Sequence, residues 1–146
     1  ARGINAMAGL RKQYLTFVYG GDVARAALFV LHEERARGER YIVADGDTYT
    51  DKEFAQLAQR LLGRKHVLHL RIPLLLVRLT CLVGSLRARL TGQTTPLNQD
   101  KYPILAQRNW RCDPSPLFAL GFTPSTDLEA GLHETITAGR AAGLLP

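Results

Sequence analysis

The chain has few of the residues that staple small proteins together. Its 146 residues include two cysteines, Cys81 and Cys112, and no C-x-x-C pair. A disulfide scaffold or a structural zinc site needs more cysteine than this. Because 46% of the residues are apolar, the chain has enough material for a hydrophobic core without cross-links. Both thiols are therefore predicted to be free, as is usual in a cytoplasmic protein.

Long apolar runs are also missing. The N-terminal stretch "ARGINAMAGLRKQY" has no continuous apolar segment, so it does not resemble a signal peptide. The most apolar segment follows Pro73, but Arg78, Arg87 and Arg89 interrupt it. A membrane-spanning helix needs about 20 apolar residues, so no transmembrane segment is predicted. The flanking arginines would also suit a membrane surface, but a core helix that covers a cleft is the favoured interpretation.

Concentrated basic charge is absent as well. The formal net charge is +6, yet the fifteen arginines are scattered and no basic stripe is interleaved with aromatics. Nucleic-acid binding is therefore not predicted. His66 and His69 lie three apart on a predicted strand and would point to opposite faces, so no metal site is predicted.

What is present is an alternation of short strands and helices. Strands are predicted at residues 16–19, 40–44 and 66–72, with a last one around 109–112. Helices are predicted at about 23–35, after Thr50, after Pro73, around 104–107, after Asp113 and after Thr126. This pattern predicts a helix-rich α/β fold with short strands and about five helices, in which the strands look like additions to a larger sheet.

N-capping residues in the sequence predict where the helices begin. Asp22 follows two glycines and is predicted to be an N-cap, which is favoured over a role as general base. Two capping boxes are predicted, and Asp113 is predicted to cap a further helix. The predicted boxes pair Thr50 with Glu53 and Thr126 with Glu129.

Four segments, in this order, resemble one family. They are "TFVYGGDVARAALFVL", "GERYIVADGDTYTDKEFAQLAQRLLG", the helix after Pro73, and "CDPSPLFALGFTPSTDLEAGLHETI". They resemble the C-terminal part of extended short-chain dehydrogenases/reductases, the NAD(P)-dependent epimerases, dehydratases and hydroxysteroid-type reductases. The likeness covers almost everything from Leu15 onward, and it implies a Rossmann-type fold.

Two hallmarks of that family are missing from the sequence. No G-x-x-G-x-x-G turn occurs, and none of the five tyrosines has a lysine four residues later. Residues 1–146 are therefore interpreted as the substrate-binding C-terminal part, without the nucleotide-binding N-terminal half. The resemblance implies NAD or NADP in the intact enzyme. No cofactor and no catalytic residue are expected in this chain alone, so whether it is itself an enzyme stays open.

The resemblance also suggests substrate contacts. Tyr19 stands at the family's His/Tyr position beside the substrate cleft, and the stretch 94–108, with Asn98 and Arg108, is expected to shape the pocket. Leu15 stands where sugar-nucleotide epimerases of the family place a phosphate-binding arginine. A leucine cannot replace that donor, which favours a less charged substrate, although Arg11 or Arg108 could supply the charge instead.

The expected partners follow from this interpretation. They are the missing N-terminal half, a small-molecule substrate and, through apolar surface bared by the missing half, a second copy in a homodimer. The alternative is a stand-alone interaction or dimerisation module derived from the same fold.

Overall fold

The computed structural model of the protein describes residues 4–92 and 98–145. The chain divides into two compact units, each built from two stretches of sequence. The first unit comprises Ala1–Gln13 and His66–Asn109, and the second comprises Tyr14–Lys65 and Trp110–Pro146.

The first unit is a strand pair with one long helix. Strands β1 (Ile4–Ala8) and β4 (Leu68–Ile72) pair in parallel, with Ile4 opposite Leu68 and Ala8 opposite Ile72. Helix α3 (Leu74–Thr91) follows β4 directly, and α4 (Tyr102–Ala106) comes after a 3₁₀ turn at Gln99–Lys101. The predicted strand at residues 66–72 is thus present in shorter form, whereas β1 was not predicted.

Helix α3 ends as its sequence indicates. Gly92 is its C-cap and adopts the left-handed conformation, with φ of 67°, which glycine reaches without a steric penalty. Pro73 is the N-cap and not the first helical residue. Only Val77 and Cys81 of α3 are buried, and most of its leucines are exposed. No helix in residues 4–92 and 98–145 has the length and apolar character needed to cross a bilayer.

The second unit contains the remaining helices and three very short strands. Strand β2 (Tyr14–Leu15) pairs antiparallel with β3 (Tyr49–Thr50), and the sheet order is β3-β2-β5, with β5 at Asn109–Trp110. The helices are α1 (Gly20–His32), α2 (Asp51–Leu61), α5 (Ser115–Ala119) and α6 (Leu128–Ala141), with a 3₁₀ turn at Glu34–Ala36.

Two strand predictions were wrong in this unit. Residues 16–19 and 40–44 are extended chain without a sheet ladder. The apolar pattern that predicted strands serves packing instead, because Tyr41 and Val43 lie against the core and Phe17 lines a cleft. The Asp45 N–H does donate to the Phe17 carbonyl oxygen at 2.9 Å.

The core of the second unit joins α1 to α5. Ala26, Leu117 and Phe122 are buried together, and Leu117 is completely inaccessible to solvent. The Phe29 ring lies 5.7 Å from that of Phe122, centroid to centroid. This core fixes α1, and with it the position of Tyr19 at the start of that helix.

The helix starts agree with the sequence in part. At α2 the predicted capping box is present: the Glu53 N–H donates to Thr50 Oγ1 at 3.2 Å, and the Thr50 N–H donates to the Glu53 carboxylate at 2.7 Å. At α5 the N-cap is Pro114, one residue later than predicted. The Asp113 carboxylate nevertheless accepts from the Ser115 N–H at 3.0 Å, so it still satisfies a first-turn donor.

The predicted box at α6 is wrong. The N-cap is Asp127, whose carboxylate accepts from the Ala130 N–H at 2.8 Å. Thr126 lies one residue before the N-cap, and its own N–H donates to the Asp22 carboxylate at 3.0 Å. Glu129 lies within the first turn, 3.9 Å from the Arg60 guanidinium. Aspartate also ranks ahead of threonine as an N-cap, which explains the shift by one residue.

Candidate functional site

A cleft of about 320 Å³ opens in the second unit. Its lining comes from the extended segment before α1, from the Asp45 turn, from α2 and from one face of α6. This volume lies at the lower end of the range typical of small-molecule sites. The lining residues are Phe17, Val18, Tyr19, Gly20, Asp45, Phe54, Asp127, Leu128, Gly131, Leu132 and Thr135.

An aromatic pair forms one wall of the cleft. The rings of Phe17 and Phe54 are stacked, with centroids 4.9 Å apart and planes 19° from parallel. Tyr49 tilts against Phe17 at 5.9 Å. The capping box at the start of α2 holds Phe54 in the first turns of that helix, so local sequence determines where this ring stands. The result is a flat apolar surface suited to a planar group.

Tyr19 lines the same cleft and is the N-cap of α1. Its ring lies so close to two glycines that a Cβ at Gly21 would stand 2.7 Å from the ring, and one at Gly131 would stand 3.2 Å from it. A hydrogen bond to the Glu134 carboxylate, then burial and the charges of Glu134 and Asp22, raise the pKa of Tyr19. The phenol stays protonated at neutral pH and donates its proton to Glu134, so its oxygen is what it can offer a ligand as an acceptor.

Asp45 supplies a carboxylate to the cleft. It accepts from the Tyr49 hydroxyl at 2.9 Å and from the Asp47 N–H at 3.2 Å. Burial raises the pKa of Asp45, and these hydrogen bonds oppose the shift. Burial and the Asp45 carboxylate in turn raise the pKa of Tyr49. Asp45 thus holds the turn between the core segment and β3 while exposing negative charge at the cleft.

Asp22 is not the N-cap that the sequence predicted. Helix α1 begins two residues earlier, at Gly20, and the Asp22 side chain turns toward the segment before α6. Its carboxylate accepts from the Ser125 N–H at 3.0 Å, the Ser125 hydroxyl at 2.8 Å and the Thr126 N–H at 3.0 Å, and it pairs with Arg25. Burial raises the pKa of Asp22, but these partners outweigh it and leave the pKa lowered. In place of the expected cap, Asp22 forms buried hydrogen bonds that connect α1 to Ser125 and Thr126 in the segment before α6. We call this set of bonds the Asp22 tie.

The other two residues predicted to bind substrate, Asn98 and Arg108, belong to the first unit. The Asn98 side chain accepts from the Lys101 N–H at 3.2 Å and so starts the 3₁₀ turn. Arg108 is exposed. Part of the stretch 94–108, residues 94–97, lies outside the described residues.

Sequence reasoning missed most of the cleft lining. The sequence predicts Phe17 in a strand and Phe54 only as part of the helix after Thr50, and it gives Asp127, between the two members of a predicted box, no role. The usable signal was the aromatic spacing around Tyr49, because a residue before a helix and one in its first turns pack on the same side. The contribution of α6 had no such signal, since it depends on contacts about 100 residues away in sequence.

The start of α1 does not fit the pyrophosphate of a dinucleotide cofactor. A phosphate cradle needs open space above glycine N–H groups at a helix start. The space beside Gly20 is open, but the Tyr19 ring fills the space beside Gly21, so α1 has no pair of accessible glycine N–H groups at its start. In residues 4–92 and 98–145 no group of three or more metal-ligating side chains comes together.

No protein-family profile matches the chain, and no curated protein matches it. Solved structures do. The structure of gox2253 is similar to this chain, with a TM-score of 0.66 and 17% sequence identity. The structure of dTDP-glucose 4,6-dehydratase from Bacillus anthracis, in complex with NAD, is similar with a TM-score of 0.59 and 16% identity. The human epimerase family protein SDR39U1, with NADPH, is similar at 0.62 and 20%.

These likenesses cover nearly all of this chain but a minor part of the others. The match to gox2253 covers 99% of this chain and 41% of gox2253. The match to the dehydratase covers 93% of this chain and 34% of that protein, and the match to the human protein covers 90% and 38%. The predicted fold class is thereby confirmed: the chain has a helix-rich α/β fold that matches part of Rossmann-type short-chain dehydrogenase/reductase structures.

Proposed function

We propose that this chain is the substrate-binding portion of an NAD(P)-dependent epimerase, dehydratase or reductase. The proposal is carried by one observation: almost the whole chain matches about two fifths or less of several larger structures. Two of those proteins are described with NAD or NADPH. The nicotinamide site and the reacting groups would come from a further portion, because the sequence has neither the glycine-rich turn nor the Tyr-x-x-x-Lys pair.

Within that role the aromatic cleft is proposed to hold the substrate. Phe17 and Phe54 would contact its apolar part, and the Tyr19 hydroxyl oxygen would accept a hydrogen bond from a polar group of the substrate. Asn98 and Arg108 belong to the first unit and stay predictions as substrate-binding residues, with no part assigned to them in this cleft. The Asn98 side-chain oxygen is already engaged with Lys101, so its amide N–H groups are what it can offer a ligand.

The cofactor assignment gives the first prediction. Titrated with NADH or NADPH, this chain should show no saturable fluorescence change below millimolar concentration, because it has no glycine-rich turn to hold the pyrophosphate. The control is the protein expressed from the complete reading frame, in which we expect a glycine-rich βαβ unit before Ala1 and micromolar binding. Micromolar binding by residues 1–146 alone would refute the proposal, as would a complete protein that binds neither nucleotide.

A second candidate function is an interaction module that pairs through α3. Leu76, Leu79, Val83, Leu86 and Leu90 are all exposed and recur at intervals of three and four residues. This spacing is the pattern of a helix that packs against another helix. The partner proposed for this surface is a second copy of the chain.

Pairing through α3 predicts a concentration-dependent dimer. Light scattering after size exclusion should give a dimer for the wild type and a monomer for Leu79→Gln/Leu86→Gln, since the two glutamines place amides in the contact. Leu144→Gln changes a leucine that is 80% exposed and lies outside α3, so it should remain dimeric. A wild type that is monomeric at 200 μM, roughly tenfold above the Kd of a weak protein contact, would exclude this function.

A further inference from the structure

The ionisable groups of the cleft in the second unit leave it without positive charge. Asp45 and Asp127 contribute carboxylates to its lining, and none of its lining residues is lysine, arginine or histidine. The Glu134 carboxylate also stands near the Tyr19 phenol. An anionic ligand group would therefore approach fixed negative charges without a counter-charge, in a partly desolvated site where repulsion is stronger than in bulk water.

The helix N-terminus of α6 does not offset this charge. Its Asp127 carboxylate already accepts from the Ala130 N–H at 2.8 Å, so this helix start carries its own anion and is not available to a phosphate. No side chain caps the start of α1, but the Tyr19 ring fills the space beside Gly21 there.

The apolar lining defines the complementary part of a ligand. The stacked Phe17 and Phe54 rings form a flat wall, and Leu128 and Leu132 of α6 also line the cleft. A volume of about 320 Å³ admits a fused two-ring group, and the Tyr19 hydroxyl, whose proton goes to Glu134, offers an acceptor oxygen. Apolar burial and aromatic stacking would supply the binding free energy.

We infer that this cleft selects a neutral or cationic small molecule with a planar apolar group, and that it rejects phosphates and carboxylates. The inference rests on the proposed function, because it names the substrate class that the substrate-binding portion would accept. Such a ligand would be an uncharged or cationic aromatic compound and not a nucleotide-linked sugar.

Four probes that share one ring system test the inference. They are 1-naphthylmethanol, 1-naphthylmethylammonium, 1-naphthoate and 1-naphthyl phosphate, each titrated calorimetrically into the chain at 50 mM salt. We expect the alcohol and the ammonium probe to bind at least tenfold more tightly than the two anions. At 300 mM salt the gap between the cationic and the anionic probes should narrow, because ions screen the carboxylates.

Two variants with the same change in net charge test whether the carboxylates of the cleft cause the weaker binding of anions. Asp45→Asn/Asp127→Asn keeps an acceptor for Tyr49 and a good N-cap for α6 while removing two charges. In this variant the Kd of 1-naphthoate should fall about tenfold, and that of the alcohol should stay within twofold. Glu34→Gln/Glu39→Gln changes the net charge equally at two exposed positions outside the lining, and should leave both constants within twofold.

A wild-type measurement locates binding without any variant. Amide NMR shifts on adding 1-naphthylmethanol should be largest around Phe17, Tyr19 and Leu132. Equal affinity for the alcohol and 1-naphthoate, shifts centred elsewhere, or no binding by any probe would overturn the inference. These outcomes are separate from those of the nucleotide titration: a complete protein without NAD(P) binding removes the proposed function but not the selectivity of the cleft.

Discussion

Replacing Asp22 by alanine is expected to lower the free energy of unfolding by about 4 kcal/mol. The carboxylate accepts three hydrogen bonds from Ser125 and Thr126 and pairs with Arg25, and its residue is only 1% exposed. Alanine would leave the two backbone N–H groups without an acceptor, each at a cost of about 1–3 kcal/mol if they remain shielded from water. Urea denaturation followed by circular dichroism measures the change.

Two further variants serve as comparisons for Asp22→Ala. Asp22→Asn retains one oxygen acceptor, but its amide NH₂ faces one of the backbone N–H groups that the carboxylate accepted from. We therefore expect the free energy of unfolding to fall by about 2 kcal/mol. Glu39→Ala removes an exposed carboxylate and should change stability by less than about 0.5 kcal/mol. If Asp22→Ala cost no more than Glu39→Ala, the tie between α1 and the segment before α6 would not contribute to stability.

The same carboxylate gives stability a pH dependence with a definite sign. Its pKa is lowered in the folded chain, so the unfolded chain takes up its proton first as the pH falls. The contribution is fully present above the ordinary aspartate pKa of about 3.9 and is lost as the pH falls through the lower folded value. The stability difference between wild type and Asp22→Asn should therefore be constant from pH 7 to 5 and shrink below about pH 4.

The helix starts illustrate what the sequence could predict. Thr50 and Glu53 satisfy one another within a single turn, so their box could be identified from four consecutive residues. Asp22 also resembles a local cap, yet the backbone N–H groups that it accepts from are 103 and 104 residues away. A carboxylate before an alanine-rich helix has the same local sequence in either arrangement. Only the fold decides whether it bonds to its own helix or to another segment.

The strands show the same division between local and distant information. β4 was predicted because its own residues alternate, whereas β1 has the sequence "INAMA" and becomes a strand by pairing with β4 more than 60 residues later. Residues 16–19 have strand-like composition, but Phe17 and Tyr19 turn into the cleft instead of a ladder. β-propensity records how well a side chain packs on a surface, and a cleft wall supplies such a surface too.

The cleft itself could be predicted only in part. The resemblance to a family pointed to Tyr19, and the structure adds the stacked Phe17–Phe54 pair and the α6 face. The close approach of Tyr19 to Gly131 explains why a glycine stands inside α6, where it would otherwise weaken the helix. A sequence pattern shows the glycine but not the ring that requires it.

Leu117→Ala is expected to lower the free energy of unfolding by about 3–4 kcal/mol. Leu117 is completely buried between α1 and the residues around Phe122, so its truncation removes apolar burial and leaves a cavity. A loss of this size is a large share of the 5–15 kcal/mol that typically stabilises a domain. Because the same core fixes α1, we also expect weaker 1-naphthylmethanol binding at temperatures where the variant is still folded.

The matched control is Leu144→Ala, which removes the same atoms from a side chain that is 80% exposed. It should change stability by less than about 0.5 kcal/mol and leave probe affinity unaltered. Thermal melts of both variants, with the calorimetric titration repeated at 10 °C, separate the two effects. Equal melting temperatures for the two variants would show that the Leu117 core does not hold α1, and the placement of Tyr19 would then need another cause. The hydrogen bonds of Asp22 could then position Tyr19 instead. They connect the first turn of α1 to Ser125 and Thr126, which lie more than 100 residues later in the sequence.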